Sequence, residues 1–308
     1  MSERYPSIQK RDEEGLVWLR EGIIICFYMH RSHGEVAPAV WRAVETYRRA
    51  IPPGALAWYP DPEGEWQPLD AQGWAYQRRK MLERPWPQDC NVELAESCSH
   101  LERPYGFEYH GQWLDAPWRR PDDGATCAAA FSLPTEYLLE HGPGRVRELA
   151  LELSRELPFS FGYASLALLF SHWHMGTLRP LLTRYMGLDL PRLEVTGRII
   201  GTRARGAFWL TFLGQPLLGE LGGLQYLRQA LPFPEVSFLP LEGERALLTL
   251  GEWPELIDTE QPAPVPQHLR ALARLLEPFM YEEQSSGFYL HTESMNRWLR
   301  RLCSSSHS

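Results

Sequence analysis

A chain of 308 residues with 44% hydrophobic content can bury a full core, and its 12 Trp, 13 Tyr and 12 Phe exclude a disordered polymer. The formal net charge of -8 argues against a primary role on nucleic acid or an anionic membrane, since both need a basic face, and it suits a basic partner. The strongest apolar stretch, 22–29, is strand length and too short to span a bilayer, so no membrane role is expected. The polar start, 1–14, carries no signal-peptide pattern, and Cys26, Cys90, Cys98, Cys127 and Cys303 are odd in number and scattered. Reduced thiols in a cytoplasm are the expected reading.

In chain order, 22–30 is apolar, β-branched and aromatic, and reads as a strand; Val36, Val40, Val44, Tyr47 and Ile51 then recur at helical spacing. Pro52-Pro53-Gly54 should end that helix, and 55–59 looks extended. The stretch 60–123 is rich in Trp, Pro, Gly and charge and is read as loops and edge strands, with short strands at 91–95 and 105–110. A second strand, 126–133, precedes a helix over 143–157 with Val146, Leu149, Leu153 and Leu157 on one face, and 161–170 is again strand-like. A third unit runs from 207–213 through a helix carrying Leu217, Leu221, Leu224 and Leu227 to a hairpin of 236–241 and 245–250. Two helices close the chain, one with Leu269, Leu272, Leu276 and Phe279 and one with Met295, Trp298, Leu299 and Leu302.

This alternation predicts an α/β or α+β fold, a mixed β-sheet with helices packed on it, built from repeated strand-helix-strand units. The shared junctions Leu157-Pro158-Phe159 and Leu231-Pro232-Phe233, each after a helix and before a strand, suggest an internal repeat; proline's ordinary use at helix ends is the alternative. With no flexible linker in view, one domain over 1–308 is expected, with 1–14 and 304–308 as tails.

The search for chemistry finds no phosphate-cradling glycine loop and no Gly-x-Ser-x-Gly elbow. His172 and His174 are alternate residues that would point the same way on a strand, and so offer two metal ligands; a polar strand end is the plainer reading. His30 and His33 invite the same suspicion, or a role in capping the following helix. Arg198, Arg203 and Arg205, near Gly197, Gly201 and Gly206, could grip a phosphate or carboxylate, or form a solvated turn. No metal, no cofactor and no catalytic residue is predicted.

Five segments together carry a family resemblance: Arg20-Glu21-Gly22-Ile23-Ile24-Ile25-Cys26-Phe27-Tyr28-Met29; Leu133-Pro134-Thr135-Glu136-Tyr137-Leu138; Leu157-Pro158-Phe159-Ser160-Phe161-Gly162-Tyr163-Ala164-Ser165; Arg198-Ile199-Ile200-Gly201-Thr202-Arg203; and Trp209-Leu210-Thr211-Phe212-Leu213-Gly214. The chain resembles the type VI secretion immunity family from about residue 15 to 302. The resemblance implies an immunity protein, not an enzyme, that binds a cognate effector toxin, a nuclease among the options, and occludes its active site. It carries over no catalytic residues and leaves the toxin's identity open, as it does a homodimer. The alternative is an uncharacterised metal-dependent enzyme using His172 and His174.

Partner contacts must come from the residues themselves. Acidic and aromatic side chains in irregular loops are the candidates, because Trp and Tyr dominate interface energetics and acidic groups steer a basic partner. One patch is Trp58, Tyr59, Asp61, Glu63, Glu65 and Trp66; the second is Asp115, Trp118, Asp122 and Asp123. For both, the competing reading is that the aromatics close an edge of the core.

Overall fold

The computed structural model describes residues 4–83, 89–98, 104–120, 123–170, 178–261, 264–284 and 292–303. Its centre is β2 (Val17–Met29), in which all 13 residues are buried. A strand whose side chains alternate between two faces is buried throughout only when both faces are covered. That is why Ile23, Ile24, Ile25, Cys26 and Phe27 form an unbroken apolar run rather than an alternating one. Short β1 (Lys10–Arg11) pairs with the start of β2, and Ile8 beside it is buried, its N–H donating to the Glu21 carboxylate at 2.8 Å. Residues 8–11, expected within a tail, are thus docked on the sheet.

After β2 come α1 (His33–Ala50), β3 (Trp58–Pro60), β4 (Trp66–Pro68), α2 (Ala71–Leu82), β5 (Cys90–Ala95), β6 (Gly106–Gly111) and β7 (Cys127–Pro134). The chain continues through α3 (Thr135–Ser154), β8 (Phe161–Phe170), α4 (Arg179–Arg184), α5 (Leu193–Gly197) and β9 (Leu210–Leu213). It ends with α6 (Leu217–Glu220), α7 (Gly223–Ala230), β10 (Val236–Leu241), β11 (Arg245–Leu250), α8 (Gln267–Leu276) and α9 (Thr292–Leu299). Among the described residues one sheet of 11 strands runs in the order β10-β11-β9-β8-β2-β7-β6-β5-β3-β4, with β1 pairing β2.

The expected α+β class, with helices packed on a sheet, is the observed one. Every pairing between these strands is antiparallel. The strand-helix-strand units are nevertheless present. Following the register, β2 and β3 run the same way, as do β7 and β8, and β9 and β10, so α1, α3 and the α6-α7 pair each join like-directed strands. Other strands fill the gap: β2 lies between β7 and β8, with Ile25 opposite Phe131 on one side and Ala164 on the other. The sequence period reveals the crossover, but not the strand inserted into it.

On one face Tyr47 of α1 packs against Phe131, while Phe27, Phe159 and Phe212 form a three-ring cluster with centroids 5.3–5.7 Å apart. α3 starts earlier than its apolar spacing suggests, burying Tyr137 and Leu138, and is interrupted at Gly142, whose φ of 78° only glycine adopts cheaply. Its end is capped from a distance: the Arg245 guanidinium donates to the carbonyls of Ser154, Arg155 and Leu157 and lies 4.9 Å over the Phe159 ring. In the stretch read as loops and edge strands, α2 is a helix. Asp70 caps it by accepting from the N–H groups of Gln72 and Gly73 at 2.9 Å, but it buries little beyond Gln77 and Met81, leaving almost no apolar stripe in the sequence.

Candidate protein-binding surface

The first predicted patch is the β3–β4 hairpin at the sheet edge. Asp61 forms its turn: one carboxylate oxygen accepts the N–H groups of Glu63 and Glu65 at 3.1 and 2.8 Å, and the other accepts Gln67 Nε2 at 2.9 Å. Partial desolvation pushes this carboxyl up, but the backbone donors and Gln67 outweigh it and hold it below the ordinary range. Tyr59 stacks on Tyr76 of α2 at 5.6 Å, and Trp58, Tyr59 and Trp66 are all half-buried. The aromatics of this patch therefore help close the sheet edge, while Glu63 and Glu65 stand exposed at its tip.

The second patch is built differently. After β6 the described residues 112–120 are bolted to α1 and to the start of β5. Ser32, at the N-terminus of α1, donates its hydroxyl to Asp115 at 2.7 Å and accepts the Leu114 N–H at 2.9 Å; the His33 N–H reaches the Gln112 carbonyl at 2.8 Å. Asp89 accepts the Trp113 N–H at 2.8 Å. Arg119 ties the loop to itself, donating from Nε to the Trp113 carbonyl at 2.9 Å and from its terminal nitrogens to Gln112, Asp89 and Asp123. Asp123 accepts the Ala125 N–H at 2.9 Å, and Asp122 lies outside the described residues.

From this frame Trp118 projects with 75% of its surface exposed, edge-on to Trp113 at 5.1 Å and 88°. Asp115 and Asp123 are exposed near it. Trp113, Arg119 and Asp89 were not singled out from the sequence, and the only available signal was a second Trp in a charged, proline-rich stretch. Following the strand directions, this loop and the 61–65 turn emerge at the same end of the sheet, where β2 gives way to α1.

Beside the loop lies a polar cavity of about 360 Å³ lined by Asp89, Asn91, His110, Gln112, Arg119, Glu194 and Arg198. His110 receives opposed influences: burial pushes its pKa down, but the hydrogen bond and charge of Glu108 at 2.6 Å, with Glu194 and Glu93, raise it above the ordinary value. Arg198 is exposed and pairs with Glu194, one helical turn away.

The basic segment does not form a solvated turn as a unit. Arg205 is 2% exposed and Asp189 fully buried, 3.0 Å apart. The guanidinium also donates to Thr196, Tyr281 and the Leu190 carbonyl, while Tyr163 donates to the second Asp189 oxygen at 2.5 Å. Burial alone would lower the Arg205 pKa, but Asp189 foremost, then Tyr163 and Tyr281, raise it well above its ordinary value. Arg192 and Glu283 form a second buried pair at 3.1 Å. These groups tie α5 and the segment after α8 to the sheet.

His30 and His33 do not cap α1. Its N-terminus is supplied by Ser32, whose N–H donates to Glu35 at 3.0 Å, while His30 meets the Ala125 carbonyl and His33 meets Tyr109 Oη and the Met81 carbonyl. His172 and His174 lie outside the described residues, and among the described residues no three His, Cys, Asp or Glu side chains converge as metal ligands. No described helix is long and apolar enough to cross a membrane.

The fold is shared with a solved structure, the Pseudomonas aeruginosa T6SS protein PA0821, at a TM-score of 0.79 and 20% identity, covering 98% of this chain and 89% of that one. No curated protein matches the chain. A family model described as type VI immunity for VRR-NUC matches residues 39–302, and the chain therefore belongs to that immunity family.

Proposed function

We propose that this chain binds a type VI effector whose toxic part is a VRR-NUC nuclease and neutralises it by filling the cleft meant for nucleic acid. The observation that carries the reading is the family match over 39–302. Charge supports it: a nuclease groove must present cations to phosphates, and a chain of net charge -8 is attracted to such a groove and repelled by nucleic acid itself. The protein acts stoichiometrically, by occupancy rather than turnover, and works in the cytoplasm, where an incoming nuclease would reach DNA.

The test is co-expression with a type VI effector of the same organism that carries a VRR-NUC domain, together with titration calorimetry against a cleavage-dead form of it. Restored growth and a saturable, stoichiometric complex are expected; a stably expressed chain that neither protects nor binds would refute the proposal. Glu63→Lys/Glu65→Lys tests the hairpin without disturbing Asp61, whose carboxylate holds the turn. If the tip meets a basic cleft, association should slow at least several-fold at low salt; an unchanged rate removes the hairpin from the interface.

A further inference from the structure

The described chain leaves four large apolar side chains substantially exposed, Leu16, Trp118, Leu139 and Tyr226, and Trp118 at 75% exceeds the others, which lie between 46% and 51%. An aromatic side chain buries roughly 150–250 Å² when enclosed, so Trp118 offers a partner more apolar area to cover than the other three. Residues 112–119, which carry it, are held by Ser32, Asp89 and the Arg119 fork, so this stretch of backbone has less freedom to lose when a partner closes over it. Trp is enriched, with Tyr and Arg, at the energetic centres of protein interfaces.

Its surroundings narrow the partner's chemistry. Asp115 and Asp123 lie exposed on the same loop, and Asp89 and Glu194 line the adjoining cavity; Arg119 is committed inward to Asp89 and Asp123, and Arg198 to Glu194. Arg120 is the exposed cation in this stretch. Of these carboxylates Asp115 has no cation paired with it among the described residues, so the indole and Asp115 together offer what a single-stranded binding groove reads in a base and its phosphate, a stacking surface and a negative charge beside it.

Resting on the immunity reading above, we infer that the Trp118 loop is the element that enters the toxin's nucleic-acid groove, with the indole on a base-stacking position and Asp115 facing a phosphate-binding cation. The occupant of this surface is thus a basic groove on the partner rather than a second copy of this chain.

The experiment uses the full chain and the cleavage-dead VRR-NUC domain of a type VI effector of the same organism, with Trp118→Ala, Trp118→Gln and, as a distant control, Tyr226→Ala, each checked for an unchanged melting transition. Both Trp118 variants should lose at least about 30-fold in affinity and Tyr226→Ala less than about threefold. A DNA oligonucleotide bound by the nuclease should compete with the wild-type chain. Wild-type binding with Trp118 variants within about threefold would overturn this inference and leave the immunity reading intact. A large Trp118 effect without competition by DNA would overturn the groove assignment. A wild-type chain that fails to bind would remove the immunity reading, and this inference with it.

Discussion

Removing the Asp189 charge while keeping its shape, as Asp189→Asn, should be among the most damaging conservative changes in this protein. The carboxylate is fully buried, 3.0 Å from a guanidinium that is itself 2% exposed, and it also accepts the Tyr163 hydroxyl. Asparagine retains an acceptor but leaves the Arg205 cation uncompensated in a medium that solvates it poorly, and breaking a buried pair in this way costs about 3–5 kcal/mol. Against a total stability of about 5–15 kcal/mol, that is a large fraction of what keeps the chain folded. Urea unfolding followed by tryptophan fluorescence would read it as a fall in midpoint at unchanged slope. The double replacement Arg205→Met/Asp189→Leu removes both charges and should cost less than Asp189→Asn alone, which separates charge compensation from packing. If Asp189→Asn costs less than about 1 kcal/mol, Arg205 is solvated by other means and the reasoning fails.

Gly214→Ala should destabilise by at least about 1–3 kcal/mol, because a Cβ there would lie 1.9 Å from the Phe159 carbonyl oxygen, a backbone atom held nearby by the Gly214 N–H to Ser160 bond. Gly34→Ala, where a Cβ meets nothing within 4 Å, should leave the melting temperature unchanged or raise it slightly; equal effects at the two sites would contradict the packing described. His110 predicts a pH dependence. Its folded pKa is raised, so its contribution is fully present below the unfolded value of about 6.5 and is lost as pH rises through the folded one. The urea midpoint should therefore fall from pH 6 to pH 8 more steeply in the wild type than in His110→Gln, and an imidazole resonance titrating below the ordinary value would sink the assignment.

The sequence was most informative where a single physical signal acted alone. The buried run at 22–29, the helical spacing of Val36, Val40, Val44 and Tyr47, and the hairpin of 236–241 with 245–250 are all visible because burial on a strand or helix imposes its own period. α2 escaped because it buries too few residues to show a stripe, and the order of strands across the sheet escaped because periodicity records which face a residue occupies, not which strand lies beside it. Arg205 shows the limit for charge. Nothing local distinguishes it from Arg203, which is exposed, since its partner Asp189 lies 16 residues away and is brought close only by the packing of α5. Of the candidate surface, Trp118 and its neighbouring acids were legible as composition, whereas the Arg119 fork and the Ser32–Asp115 bond that pin residues 112–119 depend on tertiary contacts.

The place of β2 also constrains how the molecule is built. A strand from the first tenth of the chain is completed on one side by β7 and on the other by β8, which ends near residue 170, so much of the nascent polypeptide must leave the ribosome before its most apolar segment has both neighbours. Folding is then governed by distant pairings and is expected to be slow for the chain's size. Dissecting the protein between α3 and β8 would turn its central strand into a sticky edge, so fragments of this chain should precipitate rather than behave as smaller working versions of it.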